Sequence, residues 1–319
     1  MRSLLAVLSL ALSTGAFAQG WPSKPVRFIV PYASGVSPDV SSRLVAERLP
    51  KALGQPVIVE NMPGANGFLG AQAAARAIPD GYTMLVAPTT VMVNNALLFK
   101  SLPYDPVKDF VPVQYLNGGG PFALTVNAEL PVRTLPELLA LAKSKPGALS
   151  YGVESSSSVV PMIARLIRKR GGVDVLEVPY KTTSQLLQDL AAGRVQYTLG
   201  TPVSADTMVK AGKARIIAVT GATRYEGLPD VPSVSETLPG LAFQTFITLV
   251  APAATPQDVV LRMNRAVATT LKDPELQKRL FAISVIPAEG ASPEAVSEAL
   301  RSERERWRTF VSELGVQPE

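Results

Sequence analysis

From residue 26 to residue 219, short apolar runs alternate with amphipathic segments. Runs at 26–30, 57–60, 83–87, 123–126, 149–153, 173–178, 195–199 and 215–219 are rich in Val, Ile, Leu and Ala. Each is too short for a stable helix and reads as a strand. Between them the apolar spacing becomes helical. The segment after the first run carries Val40, Leu44, Val45 and Leu49 on one face. Thr134-Leu135-Pro136-Glu137 and Thr182-Thr183-Ser184-Gln185 have the spacing of a capping box, in which a hydroxyl accepts from the amide three residues on. A strand–helix–strand succession repeated this often predicts an α/β fold with parallel strands in doubly wound sheets.

Beyond residue 252 the pattern becomes purely helical. Thr255-Pro256-Gln257-Asp258, Asp273-Pro274-Glu275 and Ser292-Pro293-Glu294 each combine a capping position, a first-turn proline and an acidic residue. Two stretches interrupt the α/β rhythm. Asn117-Gly118-Gly119-Gly120-Pro121 looks like a crossing point, and the apolar run 246–250 stands between turn-rich flanks. A chain leaving one unit near 120 and returning near 246 forms two lobes joined by two strands. Lobe 1 is then 19–120 plus 247–319, and lobe 2 is 121–246. The hinge between such lobes is where a ligand cleft is expected.

The N-terminus has a different character. Met1-Arg2-Ser3 is basic, residues 4–12 are apolar, and Ala16-Phe17-Ala18 has the small-x-small pattern of a cleavage site. Residues 1–18 are therefore expected to be a signal peptide cut after Ala18, which makes the mature product periplasmic.

The chain has no Cys and no His. Disulfides, Cys/His zinc sites, thiol nucleophiles and Ser-His-Asp triads are thereby excluded. No nucleophile elbow, phosphate loop or dinucleotide fingerprint occurs, so no catalytic residue, metal or cofactor is expected. The 31 basic and 26 acidic residues give a net charge of +5, and they are scattered rather than clustered, which does not suggest nucleic-acid binding.

In α/β sheets ligands meet the carboxyl ends of strands, where the first amides of the following helix favour an anion. Four loops qualify. Pro31 to Asp39 includes Tyr32, Ala33, Ser34, Gly35 and Ser37, with Asp39 either a ligand contact or an N-cap. Thr89 and Thr90 follow the third run. Glu154 is followed by Ser155, Ser156, Ser157 and Ser158, which either bind or form a solvated linker. Tyr180 lies in the fourth loop, and Gly200 and Thr201 end the run at 195–199.

Eight segments occur in a characteristic order. They are Trp21-Pro22-Ser23-Lys24-Pro25-Val26, Gly54 to Asn61, Pro63-Gly64-Ala65-Asn66-Gly67, Pro79-Asp80-Gly81-Tyr82-Thr83, Leu102-Pro103-Tyr104-Asp105-Pro106, Val178-Pro179-Tyr180-Lys181, Leu228 to Ser233 and Leu249 to Pro256. Together they resemble the Bug family, the extracytoplasmic receptors of tripartite tricarboxylate transporters. The resemblance implies a periplasmic-binding-protein-like fold and a non-enzymatic receptor, expected to be a monomer. Its small carboxylate would be held by Tyr32, Ala33, Ser34, Gly35, Ser37, Asp39, Thr89, Thr90 and Ser155 to Ser158, and its partner would be a membrane permease. The chain departs from the family at Val36, where a second glycine is usual, at Glu154 with its four serines, and at Gly200, where an Asp is frequent. The last change points to a ligand without an ammonium group. A ligand sensor and a carboxylate-based enzyme remain the alternatives.

Overall fold

The first sheet forms where the βα rhythm begins. A computed structural model of the chain describes residues 20–154 and 159–318; the expected signal peptide and Ser155 to Ser158 lie outside these residues. In chain order the first unit runs β1 (Val26–Val30), α1 (Ser37–Ala46), α2 (Pro50–Leu53), β2 (Val57–Asn61), α3 (Phe68–Ala75), β3 (Thr83–Pro88), a π-helical turn (Thr90–Asn94), α4 (Asn95–Leu98) and β4 (Phe110–Pro121). The second runs β5 (Ala123–Asn127), α5 (Leu135–Ser144), β6 (Ser150–Glu154), α6 (Val159–Gly171), β7 (Leu176–Tyr180), α7 (Thr183–Ala191), β8 (Tyr197–Gly200), α8 (Pro202–Lys210), β9 (Ala214–Val219) and α9 (Val234–Thr237). The chain then returns through β10 (Gln244–Pro252) to α10 (Gln257–Thr270), α11 (Pro274–Ala282) and α12 (Pro293–Leu314).

Two five-stranded sheets result, with orders β2-β1-β3-β10-β4 and β7-β6-β8-β5-β9. The strands of the βα units pair in parallel: β1 with β2 and β3, and β6 with β7 and β8. The sheets are nevertheless mixed, which corrects the expectation of purely parallel ones. β10 runs antiparallel to β3 and β4, and β5 antiparallel to β8 and β9. The strands by which the chain enters each sheet from the other, β5 and β10, run against those laid down by the βα units, whereas the departing strands β4 and β9 run with them.

Apolar residues on both strand faces explain the unbroken hydrophobic runs. Along β1 and β3, Phe28, Val30, Met84 and Val86 face one core with α1, α10 and α11. The alternate residues Ile29, Leu85 and Ala87 face a second core, continuous with Tyr151, Ile163 and Ile217 of the second unit.

The two passages between sheets are stapled together. The amide of Phe122 donates to Thr220 Oγ1 (2.9 Å), and that hydroxyl donates to the carbonyl of Phe243 (2.7 Å). The backbone of Thr220 completes the arrangement: its amide donates to Phe122 O, and its carbonyl accepts from Phe243 N. Thr220 is wholly buried. A third tie comes from α12. Trp307 and Phe310 pack on Phe243, with ring centroids 5.5 and 4.9 Å away. Near the end of α12, Glu313 receives two hydrogen bonds from Arg170 of α6.

Candidate functional site

The loop after β1 is organised from within. Asp39 is the third residue of α1, not its N-cap; that position is Val36, which has no side chain able to accept a hydrogen bond. The buried Asp39 carboxylate instead turns back and accepts from Gly35 N (2.9 Å), Ser34 Oγ (3.3 Å), Arg43 Nε (2.9 Å) and Asn61 Nδ2 (2.9 Å). Asn61 also donates to Tyr32 O (3.0 Å) and accepts from Arg43. Gly35 has φ +87°, a conformation that few other residues tolerate. Burial pushes the Asp39 carboxyl up, but the Gly35 amide, Asn61 and Arg43 outweigh it and hold it below the ordinary Asp range.

Because Asp39 is spent on the loop, the start of α1 remains uncapped. Pro38 contributes no N–H, so the first-turn amides of Ser37 and Asp39 carry the positive end of the helix dipole. This end opens on a cavity of about 390 Å³ between the two sheets. Tyr32, Val36, Ser37, Thr89 and Thr90 line it from the first unit, and Phe122, Val159, Val160, Thr201 and Val203 from the second. Asn117, Gly119, Thr245 and Phe246 of the crossing strands form its floor with Ile283, Ser284 and Val285.

Several of these hydroxyls already have partners. Thr89 Oγ1 accepts from Phe246 N (3.0 Å) and donates to Phe246 O (3.1 Å), tying β3 to β10. Thr201 caps α8, its hydroxyl accepting from Ser204 N (3.3 Å). Burial raises the Tyr32 phenol, and a bond with the Thr90 hydroxyl offsets part of this; the phenol therefore stays protonated at neutral pH and can donate. The carboxyl ends of β1 and β3 and the starts of α1 and α8 thus supply a neutral, donor-bearing chamber.

Five of the residues singled out in the sequence line this chamber: Tyr32, Ser37, Thr89, Thr90 and Thr201. Gly200 instead lines an adjoining pocket of about 370 Å³ that shares Phe122, Val160 and Thr201 with it. Ser34, Gly35 and Asp39 shape the loop, and Ala33 is exposed beside them. Tyr180 is not brought to the chamber; its hydroxyl donates to Asp189 Oδ2 (3.0 Å). Ser155, Ser156, Ser157 and Ser158 lie outside the described residues, directly before α6. Val203, Ser284 and Val285 carried no signal in the sequence: a valine in a helix and a short tail segment look like ordinary packing. Among the described residues no group of three His, Cys, Asp or Glu could hold a metal ion, and no helix is long and apolar enough to cross a membrane.

Residues 41–316 match the family described as the tripartite tricarboxylate transporter family receptor. A UPF0065 protein of Bordetella bronchiseptica is 37% identical over 319 residues, covering 99% of this chain and 93% of the relative. BugT of Bordetella pertussis is 29% identical over 323 residues, with 99% and 98% covered. Among solved structures, an R. palustris protein with adipate gives a TM-score of 0.80 at 32% identity, over 94% of this chain and 100% of that one. MatC from Rhodopseudomonas palustris with bound malate gives 0.74 at 31% identity, over 91% and 99%. The family match takes in every strand but β1, and the chain belongs to the tripartite tricarboxylate transporter receptors, the Bug family that its own segments resemble.

Proposed function

We propose that this chain is a periplasmic, non-enzymatic receptor that captures a small carboxylate between its two sheets and delivers it to a tripartite tricarboxylate-type permease. The observation that carries this reading is the uncapped start of α1 opening on the chamber between the units. Amides there favour an anion at no cost in reorganisation. Support also comes from the relatives solved with adipate and with malate. Tyr32, Ser37, Thr89, Thr90 and Thr201 are the proposed ligand-facing positions, while Ser34, Gly35 and Asp39 hold the first loop in shape. The lobes are proposed as 19–120 with 247–319, and 121–246, closing about the passages at Phe122 and Phe243. The absence of His and Cys fits a site that binds without turnover.

A thermal-shift panel of mono-, di- and tricarboxylates and aromatic acids on the mature protein tests the reading. An acid present at about 100 times its Kd should add about 2.7 kcal/mol to the unfolding free energy. No shift with any acid in the panel would refute it.

A further inference from the structure

We propose that a groove on the first unit, outside the chamber, is the surface on which the permease docks, and that it receives an acidic segment carrying apolar side chains. The proposal rests on the receptor reading above and adds the chemistry of the partner's contact. The groove has a volume of about 610 Å³ and lies between the segment that follows α4 and the face of α12. Lys100, Arg304 and Arg308 line it together with Leu97, Phe99 and Val107. The other arginines of α12 are paired, Arg301 with Glu298 and Glu305, and Arg306 with Glu303. Among the described residues, Lys100, Arg304 and Arg308 have no carboxylate partner. Arg304 is partly buried, and its hydrogen bond to Met92 O is a long 3.5 Å. Burial, and then the like charge of Arg308 four residues on, hold its guanidinium below the ordinary Arg value. Asp105 is the one carboxylate among the lining residues, and it is occupied. Its Oδ1 accepts from the amides of Val107 (2.8 Å) and Lys108 (3.0 Å), and Lys108 Nζ stands 3.8 Å from Oδ2. A carboxylate brought between the three cations would relieve their repulsion and replace the hydration that Arg304 has lost.

The same groove is apolar between its charges. Val107 is 59% exposed, and Leu97 and Phe99 are partly exposed beside it. Apolar surface rimmed by cations fits an apolar anchor flanked by carboxylates. A bilayer presents a plane of headgroups and suits a broad basic face, whereas these three cations surround a concavity. The position of the groove also favours the transporter. The helical stretch that begins at Thr90, a proposed ligand-facing position, continues directly to Leu98, and Phe99 and Lys100 follow at once. One short segment therefore joins the chamber to the groove, the place for a partner that must respond to occupancy.

The probe is a synthetic peptide that alternates glutamate with phenylalanine, titrated calorimetrically into the mature protein. Lys100→Glu combined with Arg308→Glu reverses the two exposed cations of the groove. The wild type should bind the peptide at least about tenfold more tightly than this variant, and should lose affinity as salt is added. Carboxylates of the thermal-shift panel should bind both proteins equally, since neither residue lines the chamber. Equal binding of the peptide to both proteins, or none to the wild type, overturns the proposal and leaves the receptor reading standing. Undiminished binding of a peptide with glycine in place of phenylalanine overturns the apolar part of the assignment. Recruitment to phosphatidylglycerol vesicles without binding of the peptide assigns the groove to the membrane and overturns it as a docking surface for protein. Failure of every carboxylate to bind the wild type removes the receptor reading, and with it the permease as the partner, whatever the peptide does.

Discussion

Gly119→Ala should leave the chain unable to reach its native fold, or cost more than about 4 kcal/mol if it does. Gly119 lies in β4 where that strand meets the returning β10, with φ +73°. A Cβ there would sit 1.1 Å from the carbonyl oxygen of Thr245 and 2.1 Å from its carbon. These are backbone atoms, and they cannot swing aside. The next residue of β10, Phe246, is fixed on its other side by both hydrogen bonds to Thr89. Gly119 is fixed as well, since its amide donates to Asn117 Oδ1 and its carbonyl accepts from Ile286 N. Gly212→Ala is the control. Gly212 has a similar φ of +68° but nothing within 4 Å of the added carbon, so only the left-handed penalty of about 1–2 kcal/mol applies. Urea midpoints of the two variants separate steric collision from backbone preference. Equal midpoints would contradict the close approach of the crossing strands.

Asp39→Ala should destabilise the protein by about 3 kcal/mol at neutral pH and abolish measurable carboxylate binding. The substitution leaves the Gly35 amide, Asn61 Nδ2 and Arg43 Nε without the acceptor they share. The loop that presents Tyr32, Val36 and Ser37 then loses its internal tie. Loss of binding would follow even though Asp39 does not line the chamber. The effect has a defined pH dependence. Asp39 is held below the ordinary Asp range in the fold, so its stabilisation is complete above that range and is lost as pH falls through the depressed folded-state value. Urea midpoints of wild type and Asp39→Asn should therefore differ most near pH 7 and converge in strong acid. A gap that is the same at both ends would show that the charge contributes nothing.

The α/β architecture was legible because local signals agreed with the tertiary outcome. Thr134 and Thr182 do accept from the amides of Glu137 and Gln185, and Ser292 caps α12 as its Pro293-Glu294 sequence implies. Glu137 reaches back one residue further than a capping box requires, to the amide of Arg133. β4 was not legible as a strand. Pro112 and the Gly118-Gly119-Gly120 run resemble a turn, yet the strand extends from Phe110 to Pro121. Pro112 is tolerated because β4 is the edge strand of its sheet, and the glycines allow the bulged, close pairing with β10. In the site, polar residues in strand-to-helix loops were visible as candidates. Whether a hydroxyl faces the chamber or a neighbouring backbone was not, because Thr89, Thr201 and Asp39 are equally plausible in either role until their partners are in place. The apolar half of the chamber was invisible for the opposite reason: Val203 and Ile283 differ in no local respect from core residues.

The most direct measurement is a crystal structure of the mature protein with a small carboxylate that the thermal-shift panel identifies. Its carboxylate should lie within hydrogen-bonding distance of the Ser37 amide, at the start of α1. A carboxylate found instead in the cavity of about 480 Å³ behind the crossing strands, beside Tyr115 and Arg306, would contradict the assignment of the start of α1 as the anion-binding end.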